Sequence, residues 1–219
     1  MGRKLVAGIA VVLGLALLPM APAEAGFVGP FYDNMMPTSS VSSCQYRSVC
    51  QTDGGSLVVY QGGLGAQMKA ATDFTLDGSY ATTNVGPVHK TDTLVTSGTG
   101  ETDIVYQYDG GELSSGTYGI TECNDPSIGN NRCDQFYVTF NADVLSNALC
   151  DTCGRTTFQR AVACHETGHA IGLVHGPNAD PGKSLQYAPL NCMRTDMPPE
   201  DWDDPTMGVN NAHWANVTY

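Results

Sequence analysis

The chain has 219 residues and a formal net charge of −12, from 10 basic and 22 acidic side chains. Like charge repels, so this balance argues against nucleic acid or an anionic membrane surface as a partner. The length suits one domain with a sizeable core once any leader is removed.

Residues Met1 to Ala25 read as a secretory signal peptide. Arg3 and Lys4 precede an apolar run from Leu5 to Leu18, and Ala23-Glu24-Ala25 supplies a small-x-small cleavage site. A retained anchor is the other reading, although the run is short for a membrane span. No later stretch is long and apolar enough for a transmembrane helix, so the expected product is secreted, extracellular, free of the membrane and monomeric. All eight cysteines follow the leader, which suits an oxidising compartment. Cys44–Cys50, Cys123–Cys133 and Cys150–Cys153 are expected as local closures. Cys150-Asp151-Thr152-Cys153 could instead be a redox pair, but no βαβ pattern surrounds it.

Residues 26–56 are rich in Ser, Thr, Pro and Gly without a convincing period, and read as an N-terminal arm or a short propeptide. Leu57-Val58-Val59-Tyr60 reads as a strand. The Gly62-Gly63-Leu64-Gly65 stretch is a turn into a helix in which Leu64, Met68 and Ala71 follow helical spacing, ending near Leu76. Asp92 to Thr96, Asp103 to Tyr108, Thr117 to Glu122 and Phe136 to Phe140 read as strands, with Ile104, Tyr106 and Tyr108 on one face. Thr156-Thr157-Phe158-Gln159 fits a capping box opening the next helix. After Gly176 the chain is irregular, with a last short helix from about Asn210. Asp196, Glu200, Asp201, Asp203 and Asp204 are solvated loop carboxylates or, in a second reading, calcium ligands. His89 and His213 have no metal-ligand company and read as structural.

The most informative stretch runs from His165 to His175. On a helix, residues four apart share a face, so His165 and His169 can aim ring nitrogens at one metal ion. Glu166 sits one residue on, beside that ion rather than on it, where it can act as general base. Gly172 lets the chain leave the helix cheaply and bring His175 back as a third ligand. Three protein ligands leave a fourth tetrahedral position open, which separates a catalytic zinc site from a closed structural one. Glycine and the third histidine make the pattern far more specific than a bare HExxH. The competing reading of these residues is a secreted binding or adhesion protein that keeps the zinc scaffold without catalysis.

The extended motif resembles the metzincin clan of zinc endopeptidases. Asn191-Cys192-Met193-Arg194 matches the clan's methionine-bearing turn, with Met193 as the turn methionine. Arg160-Ala161-Val162-Ala163-Cys164 and the ending Asn211-Ala212-His213-Trp214-Ala215-Asn216-Val217 look like small secreted bacterial, matrixin-like proteases. Gly176 follows the third ligand where matrixins usually have serine, and Thr195 stands where astacins and serralysins carry a tyrosine. The resemblance implies an α+β fold, a twisted mixed five-stranded sheet with an active-site helix and a small irregular C-terminal subdomain. It divides a catalytic domain over 57–219 into an upper part, 57–175, and a lower part, 176–219. It also implies that Thr117 to Glu122 is the edge strand above the cleft, where protein or peptide substrates could pair. Finally, it brings Cys164 and Cys192 together beneath the zinc as a disulfide bracing the ligand set.

Overall fold

The computed structural model describes residues 31–38, 44, 49–98, 100–127, 129–147, 154–195 and 205–219. The proposed leader, Cys150–Cys153 and the acidic run from Asp196 to Asp204 lie outside these residues. The fold is α+β, a five-stranded mixed sheet ordered β2-β1-β3-β5-β4. Strands β1 (Leu57–Tyr60), β2 (Val88–Thr91), β3 (Ile104–Tyr108) and β5 (Cys133–Phe140) run parallel. Only β4 (Gly119–Pro126) is antiparallel, and it forms the outer strand beside β5.

The helices follow from the burial pattern. Helix α1 (Ala66–Thr75) buries Met68 and Ala71 and continues into a π-helical turn, Leu76–Tyr80. Helix α2 (Ala142–Asn147) is short. Helix α3 (Gly154–Ala170) lies against both α1 and the sheet. Its contacts include buried polar ones: Tyr80 Oη donates to the Cys164 carbonyl at 2.9 Å, and the Tyr106 and Thr167 hydroxyls meet at 2.7 Å. Leu57, Ile104, Phe136, Phe140 and Phe158 fill the core between these layers, each fully buried. Helix α4 (Gly208–Thr218) closes the C-terminal region.

Several expectations are corrected. Residues 92–96 are not a strand. All four residues of β1 pair with Val88 to Thr91, so the segment that follows has no partner left. Val95 and Thr102 instead close a loop, the Thr102 N–H donating to the Val95 carbonyl at 3.0 Å. The capping box at Thr156 does not form, because α3 starts at Gly154 and the Gln159 amide donates to the Leu145 carbonyl. Strand β4 starts two residues later than expected and extends to Pro126, opposite Cys133. Strand β5 begins at Cys133 rather than Phe136 because Gln135, though polar, is buried with its amide bound to the Val95 and Thr102 carbonyls.

Asp103, at the start of β3, accepts the Val58 N–H, which favours its charged form. Burial outweighs this and pushes its pKa up to about 7, with Asp53 and Glu101 adding to the rise. The unfolded value is about 3.9. The folded protein therefore binds this proton more tightly, and the resulting stability is present below pH ~4 and lost as pH rises through ~7. Asp103→Asn keeps an acceptor and removes the charge. Its melting temperature should exceed that of the wild type at pH 8, with the gap narrowing at pH 5; no gain at pH 8 would contradict this account.

Candidate metal centre

His165 and His169 lie one turn apart on α3, each only 6% exposed. The helix then ends in a Schellman motif built on Gly172, whose φ is +96°. The Leu173 N–H reaches back to the Gly168 carbonyl at 2.8 Å, and the Gly172 N–H to the His169 carbonyl at 3.0 Å. An L side chain would strain this turn and crowd Gln51 and Met35. The reversal returns the chain so that His175 faces the two helical rings.

The three Nε2 atoms form a near-equilateral triangle. His165 to His169 is 3.1 Å, and each lies 3.0 Å from His175. The opposite nitrogens decide what this triangle is. His165 Nδ1 lies 2.7 Å from the Cys192 carbonyl, and His169 Nδ1 lies 2.8 Å from the Leu173 carbonyl. A carbonyl oxygen only accepts, so both Nδ1 atoms carry the proton and both Nε2 atoms carry a lone pair. Burial holds His165 down to about 3 and His169 well below its ordinary value, and the neighbouring rings add to both effects. Burial lowers His175 too. Imidazolium is therefore disfavoured, and a shared proton does not explain the approach of these lone pairs.

A metal ion could sit among them. A triangle of this size has a common point about 2 Å from all three nitrogens, which is the zinc–imidazole bond length. Three borderline nitrogen donors with no hard oxygen among them suit zinc better than calcium or magnesium. Among the described residues, this is the only place where three side chains of metal-ligating type converge.

Elements distant in sequence hold the triangle. Cys164 and Cys192 are joined by a disulfide with a Cα separation of 5.9 Å. The residue whose carbonyl orients His165 is thereby bonded to the residue preceding His165. A loop of this length constrains the unfolded chain by about 3–4 kcal/mol in the chain-entropy account. Met193 is buried against α3, where a Cβ on Gly168 would collide with its sulfur. The disulfides Cys44–Cys50 and Cys123–Cys133 are also formed.

The N-terminal arm contributes more than its composition suggests. Its segment 33–36 pairs with the turn that leads to His175. The Met36 N–H donates to the Gly172 carbonyl and the Val174 N–H to the Asn34 carbonyl, both at 2.8 Å. Asn34, Asn210 and Asn211 are fully buried and joined by side-chain hydrogen bonds. Asn211 also donates to the Leu190 carbonyl at 2.8 Å, tying α4 to the helical turn Ala188–Met193. Sequence reasoning missed all three asparagines, because their partners lie far away in the chain. His213 stacks on Phe31 at 3.9 Å, and His89 is exposed on β2, so neither joins the triad.

Glu166 is 6% exposed, and burial pushes its pKa up to about 7 against the opposing hydrogen bond from Thr121. The Thr121 hydroxyl lies 2.8 Å from Glu166 Oε2 and 2.9 Å from the Glu166 carbonyl oxygen. Thr121 was not singled out from sequence.

No family model, curated protein or solved structure matches this chain. The geometry alone therefore carries the reading, and zinc binding tests it. Zinc at a hundred times its dissociation constant should stabilise the fold by about 2.7 kcal/mol. For a chain of this size that raises the melting temperature by about 5–10 °C. His169→Ala should abolish the shift; a shift that survives would place the zinc elsewhere.

Proposed function

We propose that this chain is a secreted, metzincin-type zinc endopeptidase that hydrolyses peptide bonds in protein or peptide substrates. His165, His169 and His175 are its metal ligands and Glu166 its general base. The observation that carries this reading is a triad of neutral imidazoles with a buried carboxylate on the residue next to its first ring. Three ligands leave one tetrahedral position for a reactant.

Zinc bound there would supply Lewis acidity, polarising a peptide carbonyl and lowering the pKa of water toward ~7. The protein's own groups do the rest. The Cys192 and Leu173 carbonyls hold two rings in the tautomer that offers Nε2. Glu166 takes a proton from the attacking water and returns it to the leaving amine. Strand β4, the outer antiparallel strand, offers an edge with no strand partner among the described residues to an extended substrate. The α+β class, the mixed five-stranded sheet and the place of β4 at its edge agree with what the metzincin resemblance implies.

Three disulfides among the described residues support an oxidising, extracellular destination. No described helix is long and apolar enough to cross a membrane.

Glu166→Ala should still bind one zinc per chain while losing about 10²- to 10⁴-fold in the rate of casein hydrolysis. A chelator should silence the wild type, and added zinc should restore it. Near-normal turnover by Glu166→Ala would remove that residue from the mechanism. A zinc-loaded wild type without hydrolysis would leave a non-catalytic zinc protein.

A further inference from the structure

A general base works from one oxygen, yet a glutamate carboxylate has two, and three side-chain torsions let it turn either one to the substrate. The structure treats the two oxygens of Glu166 differently. Oε2 meets the Thr121 hydroxyl at 2.8 Å. Oε1 has no hydrogen-bond partner among the described residues and is not sealed from solvent.

The difference is built into β4. Residues 119, 121 and 123 alternate onto one face of the strand. Gly119 leaves a gap on that face. A Cβ there would lie 2.9 Å from Glu166 Cγ, closer than real Cβ atoms come, and 3.2 Å from Oε1, so the carboxylate would have to shift. The carboxylate therefore lies along β4 in a slot, with Oε1 over Gly119 and Oε2 at Thr121. The strand itself is well held. Gly119 and Thr121 pair with Phe140 and Val138 of β5, and the Cys123–Cys133 disulfide fastens the two strands further along.

We propose that Thr121 is a positioning residue for Glu166: its hydroxyl anchors Oε2 against β4 so that Oε1 alone is presented for proton transfer, and Gly119 provides the slot this orientation needs. The inference rests on the proposed peptidase reading and adds to it the groups that aim the base. A purely structural role for Thr121, tying β4 to α3 through the Glu166 carbonyl, has a different signature. It would move stability and leave catalysis unchanged.

The test compares full-length, zinc-loaded wild type, Thr121→Ser, Thr121→Val and Gly119→Ala on one fluorogenic peptide. kcat and KM are measured separately, and zinc affinity by chelator competition. Thr121→Val should lose about 10- to 100-fold in kcat, with KM and zinc affinity within about twofold of wild type. Thr121→Ser, which keeps the hydroxyl, should stay within about threefold. Gly119→Ala should lower kcat as Thr121→Val does, because it displaces the carboxylate without touching the hydroxyl; it carries the test should Thr121→Val not fold. Wild-type kcat in Thr121→Val or in Gly119→Ala overturns the proposal. So does a serine variant as impaired as the valine one, or a loss that tracks zinc affinity. Those results leave the peptidase reading standing, whereas a zinc-bound wild type that cleaves no peptide overturns both.

Discussion

Three imidazole nitrogens lie 3.0–3.1 Å apart, two of them on buried rings and the third on the half-buried His175. At least two of them present lone pairs, which repel at this distance unless a positive charge lies between them. The rings have little freedom to retreat. Turning His165 or His169 away would strip a buried Nδ1–H from its carbonyl partner, a loss of about 1–3 kcal/mol for each unsatisfied group. The cluster could thus hold a metal ion, and burial disfavours a proton in that role.

Much of the remaining architecture serves that constraint. Helix α3 presents two rings and is fixed on the sheet by the Tyr106–Thr167 and Thr121–Glu166 contacts. The Cys164–Cys192 disulfide locks the Cys192 carbonyl to the start of the ligand motif. Segment 33–36 pairs with the turn before His175, and the asparagine network extends this hold to α4 and the turn Ala188–Met193. Supports from five separate stretches of the chain converge on three side chains. Such a shell is what keeps metal ligands in a productive geometry.

The parts legible in the sequence were those whose cause is local. Helical spacing placed His165 and His169 on one face, Gly172 marked the reversal, and the alternation of Ile104, Tyr106 and Tyr108 marked β3. The parts that escaped depend on partners distant in the chain. Leu94 and Val95 resembled a strand, but strandedness needs a free neighbour, and β1 had none to offer. Thr156 and Gln159 matched a capping box, yet α3 had already begun at Gly154. Asn34, Asn210 and Asn211 are polar residues that a one-dimensional reading assigns to solvent, and each is fully buried. Thr121 and Gly119 look like ordinary strand residues until α3 is laid across them.

The claim that most depends on this geometry is a single zinc held by three imidazoles. Zinc K-edge X-ray absorption on the purified, folded protein tests it most directly. The account predicts one zinc per chain, with a first shell of light N/O atoms, three of them imidazole nitrogens at about 2.0–2.1 Å. Protein without bound zinc, or a shell lacking the scattering pattern of imidazole rings, would contradict it.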